Sequence, residues 1–190
     1  MENKETNPVK DLKEKLFMSS KTGMQKISKD EVKKADDFCV EYKKFLDFSR
    51  TERDAVEYAV ALAEKNGFVE FSPENTYKAG DRVYVNNRGK ALMLAVFGKK
   101  GVMEGANHSI AHIDSPRIDL KPSPLYEANN LALFKTHYYG GIRKYQWLAM
   151  PLALHGVVAK TNGEVVNIRF GDDENEPCLC ITDLLPHLAY

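Results

Sequence analysis

The chain has 190 residues, 43% of them hydrophobic, with 27 basic and 27 acidic side chains and a formal net charge of zero. This composition excludes a disordered chain, and no apolar run approaches the ~20 residues of a bilayer span, against a membrane protein. Balanced, interleaved charge argues against a nucleic-acid partner, which needs a clustered positive surface.

Residues 1–27 are polar and lysine-rich, with one short helical turn expected through Leu12, Leu16 and Phe17. No apolar signal core occurs in residues 1–6, against secretion. Ser28-Lys29-Asp30-Glu31 reads as a capping box, opening a helix in which Val32, Ala35, Phe38, Tyr42 and Phe45 recur at helical spacing. A second helix follows Thr51, its apolar face made by Ala55, Tyr58, Ala59, Leu62 and Ala63. Gly67 lies where a left-handed C-terminal cap is expected.

The pattern then changes to strands. Residues 82–85 and 91–97 flank Asn86-Asn87-Arg88-Gly89, a link suited to a hairpin. The second run is nearly all apolar, as in a strand covered on both faces. Residues 109–112 read as the next central strand, ended by Asp114-Ser115-Pro116. Two helices followed by a buried sheet predict a layered α/β domain over 28–122. Lys121-Pro122-Ser123-Pro124 suits a boundary or a change of direction. Beyond it, strands are expected at 131–138, 152–160, 164–170 and 178–182, with Thr161-Asn162-Gly163 as a hairpin turn. Residues 123–190 therefore read as a β-rich second domain or insertion, with no sign of a completed unit at the end.

Cys39, Cys178 and Cys180 make no disulfide framework, and a reducing, cytoplasmic setting is expected. Cys178 and Cys180 fall at strand spacing without a second pair of thiols or histidines nearby, so they read as small buried side chains rather than a zinc clip.

The principal candidate site is His112 with Asp114. In extended chain these two residues point to one side. A neutral imidazole is a common metal ligand, and a nearby carboxylate can fix its tautomer. From the residues alone, His112 reads first as a hydrogen-bonded core or loop histidine, and Asp114 as turn chemistry that caps backbone amides. His108 reads as polar loop, and His137, His155 and His187 as structural histidines. Tyr139-Gly140-Gly141 lacks the spacing of a phosphate-binding loop and reads as a tight turn. Tyr138, Tyr139, Tyr145 and Trp147 form an aromatic cluster suited to core or, preferably, to an oligomer contact.

Taken together, Ala111-His112-Ile113-Asp114-Ser115-Pro116, Leu120-Lys121-Pro122 and His137-Tyr138-Tyr139-Gly140-Gly141 resemble the aspartyl aminopeptidase and vacuolar aminopeptidase I family, metallopeptidase family 18, in its bacterial branch. Lys144-Tyr145-Gln146-Trp147, Pro151-Leu152-Ala153-Leu154-His155-Gly156 and Asp183-Leu184-Leu185-Pro186-His187-Leu188 extend the likeness from about Ser28 onward. The resemblance implies a cytosolic zinc aminopeptidase acting on peptides, often with acidic N-terminal residues, and two zinc ions (or Co²⁺ or Mn²⁺) in a complete site. It implies a zinc-peptidase-like α/β catalytic domain interrupted by a β-rich dimerisation domain. Homo-oligomers built from dimers, up to a dodecamer, are implied as well. His112 would be a metal ligand, and Asp114 the catalytic carboxylate that orients it.

On that pattern the remaining ligands and the general base lie after the dimerisation domain. The chain is therefore expected to be an N-terminal portion, inactive alone. The competing expectation is a non-catalytic homologue that binds a full-length relative as an oligomerisation partner.

Overall fold

The computed structural model describes residues 8–18 and 20–183. The expectations placed on residues 1–6, on His187 and on the end of the chain lie outside them. The chain divides into two compact units, Met1–Lys44 and Phe45–Tyr190.

In the first unit, α1 (Pro8–Leu16) carries the expected apolar residues, with Leu12 and Leu16 both exposed. The second helix, α2 (Lys29–Phe48), starts as its sequence dictates. The Ser28 amide donates to Glu31 Oε2 at 2.7 Å, and the Glu31 amide returns a bond to Ser28 Oγ at 3.3 Å. The Ser28 amide and then its hydroxyl, both donating to Glu31 Oε2, hold the Glu31 carboxyl below its ordinary value. The stripe on α2 is not core, since Phe38 is exposed.

The second unit is organised by α3 (Glu52–Lys65). Thr51 caps it, and Asp54 completes the box by accepting from the Thr51 amide at 3.0 Å. At its other end Gly67 takes φ +80°, and the Phe68 amide reaches back to the Ala63 carbonyl at 3.0 Å. The expected left-handed cap is present. Ala55, Val56 and Ala63 face inward against a three-stranded sheet of order β1-β2-β3, formed by β1 (Val69–Glu70), β2 (Arg82–Asn87) and β3 (Ala91–Val96). Their partners in the buried core include Val83 and Tyr84 of β2, and the Tyr84 hydroxyl donates to Glu64 of α3.

β2 and β3 form the expected antiparallel hairpin. β3 departs from expectation in being uncovered: Met93 and Val96 are well exposed. Two further hairpins follow, β4 (Arg117–Ala128) with β5 (Leu131–Tyr139), and β6 (Leu154–Ala159) with β7 (Val165–Phe170). The second turns at Thr161-Asn162-Gly163 as read from sequence, with Gly163 at φ +86°.

Three expectations need correction. Residues 109–112 form no strand, because no described strand offers them a ladder; pairing begins only at Arg117. Lys121-Pro122-Ser123-Pro124 does not end an element but lies inside β4 as a bulge. There, prolines remove two amide donors and Ser123 takes φ +53°. Cys178 and Cys180 are exposed, not buried. Leu179 and Ile181 make bridges to Leu152 and Leu148, and alternation in extended chain turns Cys178 and Cys180, which flank Leu179, the other way. None of the described helices is long and apolar enough to cross a membrane.

Candidate functional site

Irregular chain over residues 105–116, rather than a strand, delivers the His112 loop. The His112 Nδ1 lies 2.8 Å from the Asp114 main-chain carbonyl oxygen. A carbonyl only accepts, so Nδ1 carries a proton, and in the neutral ring Nε2 then keeps a free lone pair. With the side chain 85% exposed, that lone pair is available to a ligand. The Asp114 carboxylate is 3.8 Å from Nδ1, beyond hydrogen-bond range. Here the carbonyl of Asp114, not its carboxylate, orients the ring.

That carboxylate is held elsewhere. Tyr139, at the end of β5, donates its hydroxyl to Asp114 Oδ2 at 2.6 Å. The bond keeps the Asp114 carboxyl below its ordinary value and pushes the Tyr139 phenol up. The Tyr139 ring lies against the Arg117 guanidinium, 4.4 Å from its Cζ. Arg117 in turn is fixed by Asp119 at 2.7 Å and by Glu52, from the first turn of α3, at 3.4 Å. Burial would lower the Arg117 pKa, but Asp119 and Glu52 outweigh it and raise it. Lys90, 3.9 Å from Glu52, completes an open depression shared with His112 and Asp114.

The bulge in β4 builds this arrangement. Five steps from Leu120 to Leu125 face two from Thr136 to Phe134, so the register slips by three residues. Tyr139 therefore pairs with Arg117 rather than with Leu120. Gly140, at φ +74°, lets the chain turn against Pro116, where a Cβ would approach to 3.3 Å. Tyr139-Gly140-Gly141 is thus a tight turn, and its function is to seat the His112 loop.

Arg117 and Glu52 carry no signal in the sequence, and Tyr139 reads there only as part of an aromatic cluster and a turn, not as a partner of Asp114. The Asn129-Asn130 turn centres the hairpin, but the three-residue slip that selects Tyr139 is set by the bulge. His108 is exposed, and His137 bonds only its neighbour's carbonyl at 3.1 Å. Tyr138 and Tyr145 are exposed, so the aromatic cluster is not core. His155 belongs to a separate charged cluster with Asp54 and Asp172.

The tautomer of His112 suits a metal ligand. A hydrolytic zinc needs about three protein ligands, and among the described residues no cluster of three or more His, Cys, Asp or Glu side chains could hold a metal ion. The site as described offers one candidate ligand, His112, with the residues that orient it.

Residues 45–190 match the family model for the aminopeptidase I zinc metalloproteases, M18. A probable M18 family aminopeptidase 1 of Clostridium acetobutylicum is 47% identical over 152 residues, covering 78% of this chain and 33% of the relative. The crystal structure of aminopeptidase I from Borrelia burgdorferi aligns with TM-score 0.81 at 40% identity, over 87% of this chain and 41% of that one. An M18 aminopeptidase from Thermotoga maritima aligns with TM-score 0.80 at 41% identity, over 90% and 37%. The chain spans about a third of the length of the curated relatives it matches. On the match of 45–190 and this shared fold, the chain belongs to the aminopeptidase I zinc metalloprotease family, M18.

Proposed function

We propose that His112 is the first metal ligand of a zinc aminopeptidase site and that Asp114 is its supporting residue. The observation that carries this reading is the 2.8 Å contact between Nδ1 and the Asp114 carbonyl, which leaves Nε2 as the ligating atom. The whole protein would remove N-terminal residues, acidic ones included, from peptides in the cytoplasm, as a homo-oligomer built from dimers. Residues 28–122 would be the first part of its catalytic domain and 123–190 part of its dimerisation domain. Two bound zinc ions, or Co²⁺ or Mn²⁺, would supply Lewis acidity and an acidified water.

The residues of this chain act by placement. The Asp114 carbonyl keeps the His112 proton on Nδ1. Tyr139 keeps the Asp114 carboxylate ionised and turned from the ring, and Arg117, stacked on Tyr139, is held by Asp119 and Glu52. With one ligand of a larger set, this chain is expected to be inactive by itself.

The test is a Zn²⁺ or Cd²⁺ titration of the purified chain followed by ¹⁵N imidazole resonances. Nε2 of His112 is expected to move first, and His112→Ala to abolish that response. Metal perturbing another histidine first would sink the assignment. Zn²⁺-dependent hydrolysis of aminoacyl anilides by this chain, lost in His112→Ala, would sink the expected inactivity.

A second reading is favoured by the exposure of Tyr138 and Tyr145: a non-catalytic partner that docks on a full-length aminopeptidase. It predicts co-purification with such an enzyme, dependent on both tyrosines. A chain that stays free in the presence of the enzyme would exclude it.

A further inference from the structure

Outside the His112 site, one histidine is buried in charge. His155 stands on β6 with a side chain only 6% exposed. Its Nδ1 lies 3.0 Å from Asp54 Oδ2 and its Nε2 lies 2.6 Å from Asp172 Oδ2. Ionised carboxylate oxygens only accept, so these two contacts need two ring N–H donors, and only the imidazolium has both.

The surrounding charge agrees. Asp54 and Glu57 come from α3, Asp172 from just after β7, Arg169 from β7, and Arg50 from the link between α2 and α3. Arg169 Nη2 lies 3.1 Å from Asp54 Oδ1 and 2.8 Å from Glu57 Oε2, and its guanidinium covers the Phe48 ring. Arg50 Nε lies 3.8 Å from Asp172 Oδ1. Three carboxylates against two guanidinium groups leave one negative charge. Of these carboxylates only Asp54 is buried, at 7% side-chain exposure, and a buried charge is costly unless paired; an imidazolium at His155 pairs it from one side as Arg169 does from the other.

We propose that His155 is a charged pin, held as the imidazolium between Asp54 and Asp172, that fastens the β6–β7 hairpin to the first turn of α3. Among the described residues the two strands ladder only with each other, so side chains must fix the hairpin to the helix. The contact spans 101 residues of sequence and joins segments that no shared sheet joins. The same turn of α3 reaches the His112 loop from its other side, through Glu52, Arg117 and Tyr139. The pin therefore holds the hairpin and that loop against one common element.

The test uses the full chain labelled with ¹⁵N. Near neutral pH, the His155 ring is expected to show two N–H protons; a single one overturns the proposal. Hydrogen exchange then reads the fastening. His155→Gln removes the charge and leaves its N–H donors on one nitrogen in place of two separate ring nitrogens, and Asp172→Asn removes one charge at a half-exposed position. Each is expected to speed exchange in residues 154–170 about tenfold or more, with residues 82–96 unchanged. Unchanged exchange in 154–170, or an equal rise in 82–96, overturns the pin. A His155→Gln chain in which the Tyr139 and His112 side-chain resonances stay in place overturns its link to the loop.

Discussion

Asp54 shows how much one side chain can be asked to do. It sits at the third position of α3, where an acidic residue closes a capping box and complements the helix dipole. Its Oδ2 accepts from the Thr51 hydroxyl at 2.9 Å and faces His155, while Oδ1 faces Arg169. Burial pushes the Asp54 carboxyl up, but the bonds from Thr51 and His155 outweigh it and hold it below its ordinary value. The sign follows. A carboxyl depressed in the folded state adds stability that is fully present above the ordinary carboxylate range, and that stability is lost as pH falls through the depressed value. Thermal melts between pH 7 and pH 3 are expected to show a steep acid limb that flattens in Asp54→Asn. Some slope should persist, because Glu31, Asp114 and Asp173 are depressed too. An unaltered limb in the variant would refute this account. Thr51→Ala, which removes the cap together with the hydroxyl bond to Asp54, is expected to cost about 1 kcal/mol at neutral pH.

At the scale of elements, legibility tracked locality. The Ser28 box, the cap at Gly67 and the turn at Gly163 are each decided within a few residues, and each was readable. The strand at 109–112 was misread because its apolar pattern implies a ladder, and ladders depend on partners distant in sequence. At the β4 bulge, Pro-Ser-Pro reads as a boundary or a change of direction, because it breaks a ladder without saying whether the strand resumes; the strand does resume. The candidate site inherits this division. His112 and Asp114 were visible as a two-residue pattern, while Tyr139 and Arg117 meet only through the bulge. Turn chemistry also offers a prediction. The β4–β5 turn places Asn129 and Asn130 at φ +53° and +60°, residues that tolerate this region. The β2–β3 turn places Arg88 at φ +60° beside Gly89 at +65°. Arg88→Asn is therefore expected to stabilise the second unit by about 0.5–1 kcal/mol. The expected observation is a higher urea midpoint at constant slope. A lower midpoint would mean that the contact between Arg53 and the Arg88 carbonyl, at 3.4 Å, outweighs the backbone strain.

For the molecule as a whole, the informative element is β3. Its sequence is that of a strand covered on both faces, yet Met93 is 68% and Val96 59% exposed, on opposite sides of the strand. β3 is also an edge among the described residues, paired with β2 on one side. An apolar edge strand with open backbone groups is a template for pairing with another chain. Buried apolar area contributes roughly 25 cal/mol per Å², so leaving such side chains in water forgoes stabilisation that the pattern was built to collect. The purified chain is thus expected to self-associate and to bind a hydrophobic dye, more strongly at higher protein and salt concentration. Met93→Lys and Val96→Lys place charge on either face without touching the core around Val56 and Val83. Each is expected to lower light scattering and dye fluorescence while the melting temperature stays within about 2 °C, since exposed substitutions move stability by only a few tenths of a kcal/mol. If both variants scatter as the parent does, β3 is not the sticky edge and the exposed Phe38 stripe of α2 becomes the surface to charge next.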